Sequence, residues 1–335
     1  MRRQGLTVAL VCLGAAAGIV LLGIPRWKAG QAGGTGTSEW VKYEENPVLG
    51  GALGSCFDPW VLKEGRTFRM WFSWRPRHAI ALVESQDGVH WTPPQVVLTP
   101  GAPGSWEGED VNRASVVRRP DGYHMWYTGQ AGGRSAIGYA TSEDGVHWHR
   151  VGPSPVLTPE EPWEKVATMC PDVLWEARLG LYRMWYSAGD QYEPDAIGLA
   201  ESRDGVHWIR HEQPVFTADP SSPWDSFKVT GAQVIRQASW YVMFYIGFQD
   251  VDHAQIGLAR SADGVSGWVR HPHNPIIPRG PDGAWDEDAV YKPAAVLLEN
   301  GRWLLWYNAR QGSLEQIGLA THEGGNLGFE SPARR

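Results

Sequence analysis

Met125-Trp126-Tyr127, then Ile137-Gly138-Tyr139-Ala140, then Ser142-Glu143-Asp144-Gly145-Val146-His147-Trp148: read once, this stretch is two apolar strings and a turn. Read along the chain, it is a cassette. The turn returns at Ser85-Gln86-Asp87-Gly88-Val89-His90-Trp91, at Ser202-Arg203-Asp204-Gly205-Val206-His207-Trp208 and, with one residue inserted, at Ser261-Ala262-Asp263-Gly264-Val265-Ser266-Gly267-Trp268. The aromatic string returns as Met70-Trp71-Phe72, Met184-Trp185-Tyr186, Met243-Phe244-Tyr245 and Leu305-Trp306-Tyr307. The small apolar string returns at Ile80, Ile197, Ile256 and Ile317. A supersecondary unit repeated at such intervals buries its faces against its neighbours, so the chain reads as a ring or array of like units.

Each unit is all-β. Short apolar runs are broken by Gly, Asp and Asn, and no window carries a sustained helical period outside the N-terminal segment. Asp-Gly between two strands supplies the positive φ angles of a tight hairpin, so the turn needs no catalytic explanation. One unit reads as an inner strand such as 57–62, a strand with the aromatic string, a strand with the Ile-Gly string, and an outer strand after the Asp-Gly turn. Five aromatic strings but four turns leave one outer strand missing, because the last unit runs out in His322-Glu323-Gly324-Gly325-Asn326. Glu39-Trp40-Val41-Lys42-Tyr43 followed by Asn46-Pro47 matches Trp268-Val269-Arg270 followed by Asn274-Pro275. The expected fold is therefore a five-bladed β-propeller of four-stranded blades over residues 39–330, closed by an N-terminal strand that completes the last blade and leaves no open sheet edge.

Ring closure turns register into geometry. Thirteen residues before the centre of each aromatic string stand Asp58, Arg113, Asp172, Gly231 and Pro293, and one residue earlier Phe57, Asn112, Pro171, Thr230 and Lys292. Charges on otherwise apolar strands are costly to bury alone, so they are expected to converge at the mouth of the channel, either as an ion-pair ring or as a site. Cleavage of an acetal needs two carboxyl groups, one protonated and one ionised. Asp58 and Asp172 are the candidates on the strands, and Glu109, Asp110, Glu287 and Asp288 are candidates in the loops before inner strands. Arg113, Lys292, Asn112 and Tyr291 are candidate substrate contacts, and Trp60, Trp106 and Trp285 candidate floors for sugar rings.

With Asp58-Pro59 opening the first inner strand, Cys170-Pro171-Asp172-Val173 opening the third, and the Ile-Gly-Leu-Ala and Asp-Gly-Val-His-Trp hairpins, the chain resembles the five-bladed propeller glycosidases of families 43, 32, 62, 68 and 130 and their uncharacterised relatives. The resemblance implies an enzyme cleaving glycosidic bonds of an oligo- or polysaccharide, with Asp58 as general base and Asp172 as the residue that tunes the acid. It also shows a departure, since Thr230 stands where the acid Glu of family 43 would be, so the acid would come from a loop. Arg113 and Lys292 suggest an acidic sugar or, as in family 130, inorganic phosphate. The other readings are a sugar-binding propeller without catalysis and, through its Ser-x-Asp-Gly turns, a sialidase-like ring. A structural calcium in the channel is a further expectation of the resemblance, with Asp58 or Asp172 holding it; no other cofactor or catalytic metal is expected. The turn histidines sit one per unit, too far apart to share an ion.

The formal charge of -7 argues against a nucleic-acid partner. Arg2 and Arg3 precede an apolar run at 6–24, closed by Pro25-Arg26-Trp27-Lys28. Residues 1–28 thus read as a signal peptide or an uncleaved membrane anchor, 29–38 as a Gly-rich flexible linker, and the protein as an exported, periplasmic or extracellular monomer. Beyond that run only Cys56 and Cys170 remain. Their places two repeats apart make a disulfide doubtful and favour free, buried thiols.

Overall fold

The computed structural model describes residues 40–190 and 193–329; the apolar run at 6–24 and the linker at 29–38 lie outside the described residues. The chain is all-β. After β1 (Trp40–Lys42), a first antiparallel meander runs β2 (Cys56–Glu64), β3 (Thr67–Trp74) and β4 (Ala79–Ser85), with β5 (Gln95–Leu98) outside it. The second is β6 (Asp110–Arg119), β7 (Gly122–Ala131) and β8 (Arg134–Ser142), with the short β9 (His149–Arg150). The third is β10 (Ala167–Glu176), β11 (Leu181–Asp190) and β12 (Glu193–Ser202), with β13 (Ile209–Arg210). The fourth is β14 (Lys228–Gln237), β15 (Trp240–Phe248) and β16 (Ala254–Ser261), with β17 (Val269–Arg270). The last is β18 (Ala289–Leu297), β19 (Trp303–Gln311) and β20 (Leu314–His322), and here the outside strand is β1, Trp40 facing His322. Single parallel pairings tie the second meander to the third and the fourth to the fifth, and among the described residues no sheet closes on itself.

The links between meanders repeat as faithfully as the sequence does. In the turn, the Ser85 hydroxyl accepts the Gly88 N–H at 2.8 Å and Asp87 Oδ1 accepts the N–H groups of Val89 and His90, both at 2.9 Å. Gly88 takes φ +81°, where a Cβ would also sit 2.7 Å from the ring of Trp306. The carbonyl of that glycine is the acceptor for the central Trp of the preceding meander: Trp71 to Gly145 at 3.1 Å, Trp126 to Gly205 at 2.9 Å, Trp185 to Gly264 at 3.0 Å. Trp306, in the last meander, donates to Gly88 of the first at 2.9 Å. The fourth string carries Phe244 instead, and the fifth meander has no Asp-Gly turn to receive a donor. Trp40 takes up the contact there, meeting Phe244 edge-on at 5.9 Å as Trp208 meets Trp126 at 6.0 Å.

A second repeated device lies in the loops before four of the five inner strands. Glu107 accepts the Tyr127 hydroxyl at 2.8 Å and Arg150 at 2.6 Å; Glu164 accepts Tyr186 at 2.6 Å and Arg210 at 2.8 Å; Asp225 accepts Tyr245 at 2.9 Å and Arg270 at 2.8 Å. Each cation comes from a short outside strand. In the last meander the carboxylate is Asp286 and its cation is Lys42 of β1, at 2.6 Å. Lys42→Met is therefore expected to cost about 2 kcal/mol, read as a lower urea midpoint, because Asp286 is buried and has no other cation among the described residues. An unchanged midpoint would mean that this pair does not hold β1.

Contacts between the first strands run in order from β2 to β6, β10, β14 and β18, and β18 returns to β2. One row of side chains stitches them: Trp60 donates to the Val116 carbonyl at 2.9 Å, Ser115 accepts the Val173 N–H at 2.9 Å, Asp172 accepts the Val234 N–H at 2.7 Å, and Gln233 accepts the Ala295 N–H at 2.6 Å. The apolar clusters fall between neighbouring meanders; that of Met70 and Phe72 includes Trp306 and Leu319. Cys56 and Cys170 are both free and buried, as expected, and burial pushes the Cys56 thiol up to about 12.

Candidate active site

Every inner strand carries a bulge at the same level. The ladder slips between Phe57 and Trp60, Asn112 and Ser115, Met169 and Asp172, Thr230 and Gln233, and Tyr291 and Ala294. The first bulged residue has positive φ in each: Asp58 50°, Arg113 56°, Cys170 51°, Gly231 56° and Lys292 34°. Four non-glycine residues in that region at one register is unusual, since L side chains crowd the backbone there, and such strain gathers at functional sites. The bulge N–H is held by the preceding meander. Ser73 Oγ accepts from Arg113 at 2.9 Å, Thr128 Oγ1 from Cys170 at 3.0 Å, Ser187 Oγ from Gly231 at 2.8 Å, and Asn308 Oδ1 from Asp58 at 3.1 Å.

This register corrects the count made along the sequence. Cys170, not Asp172, is the third-strand equivalent of Asp58, and Lys292, not Pro293, is the fifth. Asp172 belongs two residues further on, in the row that stitches the strands. The physical reason is loop length: the turns after β10 and β18 are longer than that after β2, and each extra residue shifts a ruler anchored on the aromatic string.

The bulges open into a cleft of about 310 Å³. It brings together Asp58, Asp110, Asn112, Arg113 and Tyr291 from the sequence candidates, and adds Arg75, Gln130, Cys170, Asn308 and Glu315. Arg113 Nε lies 3.2 Å from Asp58 Oδ2, an ion pair that is not aligned as a hydrogen bond. Burial works against the charge of Arg113, yet the carboxylates around it, Asp58 first, hold the guanidinium above its ordinary range. Asn112 is the hub: its amide donates to Asp110 and to Gln130, both at 2.9 Å, and its carbonyl accepts Arg113 Nη1 at 2.7 Å. Asp110 also meets His78 Nδ1 at 3.0 Å, and the Tyr291 hydroxyl accepts Arg310 Nε at 3.1 Å. The Glu315 carboxyl is raised by burial, against the pull of Arg75, with which it is paired.

The remaining candidates stand elsewhere. Asp172 is buried beneath the cleft, its carboxyl pushed up to about 7 by burial against the opposing influence of Lys292 and the Val234 N–H. Lys292 is fully buried, with Nζ 3.3 Å from the Ala232 carbonyl and 5.9 Å from the centre of the Trp60 ring. Trp60 lines the far end of the inner strands. Trp106 stacks on Tyr127 and Trp285 lies tilted against Tyr307, the two pressed against Gly138 and Gly318, where a Cβ would come within 2.8 Å and 2.6 Å of the indoles. Glu109 accepts the Gly132 N–H at 3.1 Å, Asp288 the Gly312 N–H at 2.7 Å, and Glu287 Gln311 Nε2 at 3.0 Å, so these three fasten neighbouring hairpins. Among the described residues no three His, Cys, Asp or Glu side chains gather as a metal would require.

Sequence reasoning passed over Asn308 and Glu315. The signal for Asn308 is its place two residues after Trp306, where Ser73, Thr128 and Ser187 stand in other meanders. Glu315 stands two residues before its Ile-Gly string, at a position that His78, Ser135, Asp195 and Ala254 fill elsewhere.

Residues 66–224 match the glycosyl hydrolases family 32 N-terminal domain. A Mycobacterium tuberculosis protein, Rv1502, is 29% identical over 265 residues, 74% of this chain and 85% of that one. A 1,2-beta-oligomannan phosphorylase of Thermoanaerobacter sp. is 27% identical over 225 residues, 64% of this chain and 69% of its own length. Among solved structures, that of a thermostable family-43 glycoside hydrolase superposes with a TM-score of 0.67 at 17% identity, covering 87% of this chain and 98% of the other. In sequence and in fold, the chain resembles the β-propeller glycoside hydrolase superfamily.

Proposed function

We propose that the five meanders are the blades of a five-bladed propeller closed by β1, and that the protein cleaves glycosidic bonds of an oligo- or polysaccharide in the cleft at the bulges. The observation that carries this reading is the convergence of Asp58, Asp110 and Glu315 with Arg113 and Arg75 in one cleft, where five otherwise similar units differ most. Asp58, oriented by Arg113 at 3.2 Å, is the carboxylate that takes a proton from an attacking water, while a second carboxyl of the cleft serves the leaving oxygen. Asn112 and Gln130 offer neutral groups for sugar hydroxyls. The apolar run at 6–24 supports export, and with it a substrate met outside the cytoplasm as part of the same proposal.

Phosphorolysis is the second reading, favoured by two guanidinium groups lining the cleft and by the likeness to an oligomannan phosphorylase. Turnover of oligosaccharides with and without inorganic phosphate separates the two. Free reducing sugar at an equal rate in both is expected for a hydrolase, whereas sugar 1-phosphate formed only with phosphate would move the protein to the second reading. Binding without turnover in either buffer would leave a sugar-binding propeller.

A further inference from the structure

The glycosidase reading leaves the proton donor unassigned, since Thr230 holds the place of the expected acid. Three carboxylates line the cleft, and their surroundings differ. Asp58 has the guanidinium of Arg113 at 3.2 Å. Asp110 is held by the Asn112 amide at 2.9 Å and the His78 ring at 3.0 Å. Among the described residues Glu315 has one side-chain partner, Arg75, whose side chain is 53% exposed with its guanidinium over the Phe57 ring, while the Glu315 side chain is 13% exposed. Its backbone is pinned independently, the Glu315 N–H donating to Ser55 Oγ at 3.2 Å.

Resting on the glycosidase reading, we propose that Glu315 is the general acid of this site and Arg75 its movable counter-ion. Glu315 and Asp58 repel one another as anions, and the buried cation that acts on both, Arg113, is paired with Asp58. Of two like charges sharing a desolvated site, one takes up a proton, and it is the one whose cation is easiest to displace. A sugar seated at the rim displaces the exposed Arg75 more readily than the buried Arg113. In the reaction the Glu315 carboxyl gives its proton to the glycosidic oxygen as the bond from that oxygen to the anomeric carbon breaks. The Asp58 carboxylate takes a proton from the water whose oxygen attacks that carbon. One water is added across the bond, and exchange with solvent restores both carboxyls.

The test uses the full chain and glycosides of the sugar found by screening, with leaving groups from alkyl alcohols to dinitrophenol. In Glu315→Gln, kcat/KM is expected to fall about 10²-fold or more for alkyl glycosides and less than about 10-fold for dinitrophenyl glycosides, which need no acid. The alkaline limb of the pH profile should vanish with it. Arg75→Gln removes a positive charge beside the acid and should move that limb to higher pH. Losses independent of the leaving group in Glu315→Gln, or an alkaline limb that stays there and disappears in Asp110→Asn, would overturn the assignment and leave the glycosidase reading standing. A wild-type chain that cleaves no glycoside, with or without phosphate, removes both.

Discussion

Asp58→Asn lowers kcat/KM by about 10³-fold and leaves the melting temperature within a few degrees of the wild type: this is the expected result at the first bulge. A carboxylate acting as general base contributes about 10²- to 10⁴-fold, and the amide that replaces it cannot accept the proton. The fold is spared for a local reason. Residue 58 sits at φ 50°, and asparagine is, after glycine, among the residues most at ease in that region. The backbone N–H of residue 58 keeps its bond to Asn308 whatever the side chain. Turnover that survives in Asp58→Asn, measured on the same substrate, would remove Asp58 from the mechanism. A fall in activity matched by a large fall in melting temperature would make the residue structural.

The second large effect lies beneath the cleft and is read in stability. Asp172 has an ordinary carboxyl value of 3.8 when unfolded and about 7 when folded, because burial penalises its charged form. The folded state therefore binds a proton that the unfolded state releases. The stability from this group is fully present below about pH 4 and is lost as pH rises through 7. A shift of about three pH units corresponds to about 4 kcal/mol as an upper bound. Asp172→Asn keeps an acceptor for the Val234 N–H but carries no charge to desolvate. Urea midpoints at pH 5 and pH 8.5 should show the wild type losing stability with rising pH, the variant losing much less, and the variant ahead at pH 8.5. Parallel curves would mean that Lys292 already neutralises Asp172 throughout.

The repeat strings made the strand order legible because each has the same job in four of the five units: the Trp indole finds a glycine carbonyl, the Asp a pair of backbone N–H groups. Pairing of β1 with β20 was legible for the same reason, Trp40 and Lys42 standing where Trp268 and Arg270 stand. The site was legible only in part. Asp58 and Arg113 came from a ruler that works where the hairpin is short, and the longer turns after β10 and β18 displaced it onto Asp172 and Pro293. The bulge itself leaves no signature in residue type, since Asp, Arg, Cys, Gly and Lys share nothing but a backbone angle. Trp106 and Trp285 look like sugar platforms until Gly138 and Gly318 are seen beneath them, because sequence says how large a ring is but not what already covers its face.

The seam between the fourth and fifth meanders is built differently from the others. Phe244 cannot donate where four tryptophans do, and Ile246 occupies the place of Ser73, Thr128 and Ser187 without offering an acceptor. To the Ala254–Ala289 pairing and the Gln233–Ala295 bonds, β1 adds its own hold on this side, Lys42 finding its carboxylate 244 positions later in the chain. Among the described residues, β1 therefore pairs across nearly the whole length of the chain with β20, and so long a closure is expected to form late in folding. Tension applied N-terminal to Trp40 is expected to peel β1 from β20 before any inner strand moves, because β1 holds by three ladder positions and one ion pair.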